Sequence, residues 1–129
     1  MRTKSQSAVE FVVLATFMIL VILSFFAVTS SRVLEAKEEA NRKIAEDIAE
    51  FAYREIEIAK SLNDGYSKSF TMPETVNGIN YTIVIIDNME LLVNYLGYEH
   101  IKFLPANITG TINNGINTIS KNKGVISIN

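Results

Sequence analysis

Phe11 to Ser31 reads FVVLATFMILVILSFFAVTSS, twenty-one consecutive residues without a charge. A helix needs about 20 such residues to cross ~30 Å of hydrocarbon. The run therefore predicts a transmembrane helix, and the rest of the chain has to be arranged around it. Ahead of it stands a short basic segment, Met1 to Ser5 (MRTKS). Arg2 and Lys4 before an apolar run hold that end on the cytoplasmic side and send the remainder of the chain outside. A cleaved secretory signal begins in the same way, but its apolar core spans only about 7–15 residues. Ala27, Thr29, Ser30 and Ser31 imitate its cleavage site, yet the longer run favours a retained helix.

With 129 residues in all, one small domain can accompany that helix. The chain has no cysteine, one histidine, two prolines and a net charge of −2. A disulfide framework and thiolate metal sites are thereby excluded, and nothing in the charge favours nucleic acid. No second ligand stands at metal spacing from His100, no glycine-rich phosphate loop occurs, and no nucleophile–base pair can be assembled. The sequence predicts no cofactor, no metal and no enzymatic activity.

The helix does not stop at Ser31. Residues 32–62 lack Gly and Pro and are rich in Ala, Glu, Lys, Arg and Ile, mostly strong helix formers. Ala40, Ile44, Ile48, Ala52, Ile56 and Ala59 recur at intervals of four or three, which puts them in one apolar stripe. Phe51 and Leu62 widen it. Glu38 and Arg42, Glu39 and Lys43, and Glu50 and Arg54 stand at i,i+4 in the favourable order on the wet face. Continuous helix from about Ser7 to Leu62 is expected, ~80 Å long at 1.5 Å per residue. Asn63-Asp64-Gly65 ends it, with Gly65 suited to a left-handed cap.

From Tyr66 onward the period changes to two. Tyr66 to Met72 is a first strand, stopped by Pro73, and Asn77-Gly78 is a hairpin-turn signal. Ile79 to Ile86 (INYTIVII) is apolar on both faces and is expected in the middle of the sheet. Leu91, Val93 and Tyr95 alternate in the next strand. Ile101 and Phe103 alternate with His100 and Lys102, which places His100 on a polar surface. Three shorter strands complete the chain: Ile108 to Ile112, Ile116 to Lys121 and Gly124 to Ile128. Short strands split by Asn/Gly turns predict an antiparallel sheet, one face of it covered by the second half of the helix. The expected fold is α+β. Its segments are a leader at 1–5, an apolar helix at 6–31, an amphipathic continuation at 32–62 and a β-rich head at 63–129. Asn80-Tyr81-Thr82 and Asn107-Ile108-Thr109 are sequons that make Asn80 and Asn107 candidate N-glycosylation sites.

Glu10 is an ionisable residue at the edge of the apolar run, a costly place usually kept for a partner. As the first residue of a simple membrane helix it would reach into the headgroups instead. Its context decides between these readings. The segment Lys4 to Phe11, KSQSAVEF, resembles the processing motif of archaeal type IV pilin-like proteins with a class III signal peptide. In that pattern a basic residue and a small residue precede Gln, and Glu follows four residues later. Lys4, Ser5, Gln6 and Glu10 match it; Ser5 stands where Gly is usual.

The resemblance implies that a membrane-embedded aspartyl prepilin peptidase cuts between Ser5 and Gln6, before the apolar run. It further implies assembly with identical or related pilin subunits into a surface filament. A new amine at Gln6 would lie one helical turn from Glu10, and in an assembly the amine of one subunit can neutralise the carboxylate of its neighbour. Such a pair sets register more dependably than it adds stability. The expected location is a single-pass membrane protein with its N-terminus cytoplasmic, then a filament outside the cell. Two rivals remain: a permanent signal-anchor protein whose head binds a partner, and a minor pilin or pseudopilin-like component of a filament or secretion machine.

Overall fold

The structure, a computed structural model, describes residues 2–129. Of the expected leader, Met1 lies outside the described residues. The chain forms two compact units, the first ending at Glu38 and the second spanning Glu39–Asn129. One helix, α1, covers Arg2–Ser61. It begins earlier than the expected Ser7, so Lys4, Ser5 and Gln6 are already helical.

Among the described residues of the first unit nothing packs on α1. Every side chain from Thr3 to Glu38 is exposed except the half-buried Ala15. The backbone is satisfied within the helix, and so are most of the hydroxyls in the apolar run. Thr16, Ser24 and Thr29 donate to the carbonyls of Val12, Leu20 and Phe25 at 2.8 Å, and Ser31 to that of Ala27 at 3.1 Å. Such back-bonding hides polar groups that hydrocarbon would otherwise penalise. Among the described residues one helix is long and apolar enough to cross a membrane, with a mean hydropathy of 2.9 over its most apolar window.

In the second unit α1 packs on a small, mostly antiparallel β structure. The strands are β1 (Ser67–Met72), β2 (Tyr81–Ile86), β3 (Glu90–Tyr95), β4 (Tyr98–Phe103), β5 (Ile108–Gly110), β6 (Gly115–Asn122) and β7 (Val125–Ile128). They form two sheets, one ordered β1-β6-β7-β5 and the other β2-β3-β4. All pairings are antiparallel but one: β5 runs parallel to β7. There the backbones approach so closely that a Cβ on Gly110 would stand 1.9 Å from the Ile128 carbonyl oxygen, which only glycine can accommodate. The core joins Ala45, Ala49, Ala52 and Ile56 of α1 to side chains of both sheets, such as Met72 and Leu91.

Four expectations need correction. The stripe of α1 that is buried runs through Ala45, Ile48, Ala49, Ala52, Ile56 and Ala59, whereas Ala40, Phe51 and Leu62 are exposed. Alanine lets the strands come close, and a Phe or Leu on the contact line would hold them off. β2 lies at a sheet edge and β3 in the centre; only Tyr81 and Ile83 of β2 are buried, while Val84 is open to solvent. In β4 the parity is inverted: Ile101 and Phe103 point outward, 51% and 73% exposed, and His100 and Lys102 turn inward and are half-buried. The Lys102 stem covers apolar surface while its ammonium reaches Glu50 and sits 4.4 Å from the Tyr53 ring centroid. Of the expected helix-face pairs, Glu50–Arg54 forms at 3.4 Å, but Lys43 pairs with Asp47 at 3.2 Å and Arg42 stacks on Tyr98.

The end of α1 is held by a residue far along the chain. Lys121 donates to the carbonyls of Lys60 and Leu62, each at 2.8 Å, satisfying groups that a helix terminus leaves open. Gly65 takes the left-handed conformation (φ 91°) expected of it, and its N–H donates to the Lys121 carbonyl. Asn117 is fully buried, yet complete. Its Oδ1 accepts from Asn113 N–H at 2.8 Å, and its Nδ2 donates to the carbonyls of Asn113 and Gly115 at 2.7 and 3.0 Å.

Candidate functional site

The residues singled out by sequence for processing and assembly share the first turns of α1. Lys4, Ser5, Gln6 and Glu10 are all helical and exposed. Gln6 and Glu10 are one turn apart and share a face, as i,i+4 residues must. Ser5 lines an open groove with Ala8, Val9, Val12 and Val13. Glu10 lines the adjoining one with Val9, Val13, Leu14 and Phe17. The carboxylate thus stands on an otherwise apolar surface, and no ion pair among the described residues engages it.

These grooves are shallow, and their walls are side chains of a single helix. They can take the ridge of another helix, since rows of side chains spaced three and four apart interdigitate in that way. Large side chains such as Phe11 and Phe25, both 70% exposed, stand out from other sides of the same helix. The geometry offers an apolar contact surface with one acid at its end.

The remaining candidates lie in the second unit. Asn107 is exposed in the loop between β4 and β5, and Asn80 is exposed one residue before β2. His100 is half-buried on the inner side of β4, and among the described residues no three His, Asp or Glu side chains converge as metal ligands would.

Two charged contacts tie α1 to the strands. Lys68 reaches Glu55 at 2.9 Å, and Lys102 reaches Glu50. The hydrogen bond from Lys102 holds the Glu50 carboxyl below its ordinary range, and the bond to Glu55 raises Lys68. Solvent-accessible pairs at the rim of the core contribute little each, so their use is to orient the helix over the strands.

Comparison with known proteins gives no match: no family model fits the chain, and no curated protein or solved structure is significantly similar to it. The functional reading rests on the residues themselves.

Absent from the expectations drawn from sequence is an apolar patch on the outer side of the β2-β3-β4 sheet. Val84, Leu92 and Ile101 stand side by side across the three strands, with Phe103 in the next row. The alternation of Ile101 with Phe103 is plain in the sequence; the side to which it points is not.

Proposed function

We propose that this chain is a structural subunit of a type IV pilus-like surface filament, cut before Gln6 by a prepilin peptidase and assembled through the apolar half of α1. The observation that carries the reading is the contrast between a half-helix that buries nothing and a head with a core of its own. A surface from Phe11 to Val28 that is apolar all round needs an apolar environment, and both a bilayer and a bundle of identical helices supply one. Transfer from the first to the second costs little, because no apolar area is returned to water. Back-bonded hydroxyls suit both environments. Glu10 is the group for which the two differ: at the membrane edge it reaches water, and inside a filament it requires the Gln6 amine of a neighbour.

The signal-anchor reading rests on the same apolar run without the KSQSAVEF context. Mass spectrometry of the mature N-terminus separates the two. Chain beginning at Gln6, recovered from a sheared-surface fraction, is the expected result. An intact Met1 would leave a permanent anchor, and a cut near Thr29 to Ser31 would make the head a secreted protein.

A further inference from the structure

The chain holds two Asn-Gly pairs, Asn77-Gly78 and Asn114-Gly115, and the fold treats them differently. Asn77 and Gly78 form the exposed tip of the hairpin that leads into β2, with φ of 53° and 73°. An isolated bridge closes that tip: Val76 and Ile79 exchange backbone hydrogen bonds at 3.0 and 2.9 Å. Among the described residues no hydrogen bond engages the Asn77 side chain or the Gly78 N–H.

Asn114 stands at the base of the same hairpin. Its Nδ2 donates to the carbonyls of Glu74 at 3.3 Å and Tyr81 at 3.1 Å, one on each arm. The backbone on both sides of it is held by the buried Asn117. That side chain accepts from the Asn113 N–H at 2.8 Å and donates to the carbonyls of Asn113 and Gly115 at 2.7 and 3.0 Å. Gly115 is further paired with Met72 in the β1–β6 ladder. Both asparagines are exposed, so access of water does not distinguish them.

We propose that Asn77 is a site of spontaneous covalent modification, by deamidation through a cyclic imide, and that the fold withholds the same reaction from Asn114. The Gly78 nitrogen gives up its proton and attacks the side-chain carbonyl carbon of Asn77. As the new C–N bond closes the imide, the side-chain nitrogen leaves with a proton as ammonia. Water then opens the ring at either carbonyl, giving aspartate or isoaspartate. Water is the sole co-reactant, and nothing is oxidised or reduced. Glycine at position 78 leaves the attacking nitrogen uncrowded and its backbone free to turn. The turning breaks only the Val76–Ile79 exchange, a local opening at an exposed tip, where such openings cost least. At Asn114 the departing nitrogen is the one held by Glu74 and Tyr81, and the carboxylate left behind would face their carbonyl oxygens. The product at Asn77 carries an added charge. Its isoaspartyl form also carries an extra methylene in the backbone, which the tight Val76–Ile79 turn does not accommodate.

The test uses the unaltered full chain in detergent micelles, incubated at mildly alkaline pH and sampled over days. Cleavage after Lys68, Lys102 and Lys121 puts Asn77 and Asn114 in separate peptides. Mass spectrometry of each then reads the gain of amide to acid, and fragmentation places it on the residue. Conversion at Asn77 should outrun that at Asn114 by at least about tenfold, since cyclisation at Asn114 forfeits two hydrogen bonds that Asn77 does not make. In denaturant both pairs lose their surroundings, and the two rates should come within about threefold of each other. Equal conversion in the folded chain, faster conversion at Asn114, or an intact Asn77 when the denatured chain has converted would each overturn the inference. A preference that survives denaturation would do the same, because neighbouring residues rather than the fold would then set it. The chemistry is indifferent to whether the chain assembles, so none of these outcomes bears on the filament reading.

Discussion

The two halves of α1 use the same backbone for opposite ends. From Phe11 to Ser31 the side chains are mostly large and apolar, and every one but Ala15 is exposed. From Ala45 to Ala59 the contact line holds four alanines and two isoleucines, all of them buried. The half with the most hydrophobic residues makes no core, and the half with the smallest ones supplies the helix side of it. Burial depends on the surface opposite, and a helix face of small residues is what lets two sheets close over it. The large side chains of the first half meet nothing else among the described residues.

Glu10→Ala attacks that contrast most directly. In a filament the change leaves the neighbour's Gln6 amine unpaired in a poorly hydrated core, a loss of about 3–5 kcal/mol at each subunit. The variant should be made, inserted and cut, yet be absent from the sheared-surface fraction when this is blotted beside the membrane fraction. Normal fibres would end the pairing argument. Uncut protein in the membrane would move the role of Glu10 to recognition by the peptidase.

A matched pair of substitutions comes next. Ala52→Leu overfills a fully buried position and should lower head stability by about 1–3 kcal/mol in denaturant titration. Ala27→Leu adds the same atoms where nothing packs and should leave that titration unmoved. Equal effects would show that the two halves are not separate in energy.

The head should also weaken in alkali through a group the first half lacks. Burial pushes the Tyr81 hydroxyl up to about 12, and the hydroxyl donates to the Pro73 carbonyl. A folded value above the unfolded one means the contribution is whole below about pH 10 and is lost as pH rises towards 12. The decrease should be about 1–3 kcal/mol, measured by denaturant midpoints across that window. Tyr81→Phe should flatten the profile, starting from a lower plateau because the hydrogen bond is gone. An unchanged slope would place the alkaline loss elsewhere.

The smallest effect concerns Leu96. In the β3–β4 turn Leu96 and Gly97 have φ of 52° and 82°, a geometry that suits Asn-Gly and strains a leucine. Leu96→Asn should stabilise the head by about 1 kcal/mol, read as a raised melting temperature with fibre formation unaltered. A lowered melting temperature would mean that the exposed leucine packs better than its conformation suggests.

Much of this was legible in the chain. The apolar run, the helix end at Asn63-Asp64-Gly65 and the Asn77-Gly78 turn depend on local chemistry: composition, a missing Cβ and a preference for positive φ. Asn77 and Gly78 do adopt φ of 53° and 73°, and Val76 and Ile79 exchange both backbone hydrogen bonds across them. Alternation likewise located Leu91, Val93 and Tyr95 on one face, and all three are buried. At the candidate site, the sequence brought Gln6 and Glu10 onto one helical face, and the structure keeps them there.

What the sequence determined by itself is the kind and approximate position of each element, because propensity, capping and turn geometry act over a few residues. Tertiary structure alone decided which face each element turns inward. Alternation separates two sides of β4 without saying which is covered, and Lys102 took the inner one because Glu50 and Tyr53 wait there for its ammonium. The division into two sheets, the edge position of β2 and the parallel β5–β7 pairing depend on residues far apart in the chain. So does the capping of α1 by Lys121, sixty-one residues beyond Lys60. Such contacts leave no periodic trace, since each is fixed by how the whole core closes over the alanine face of α1.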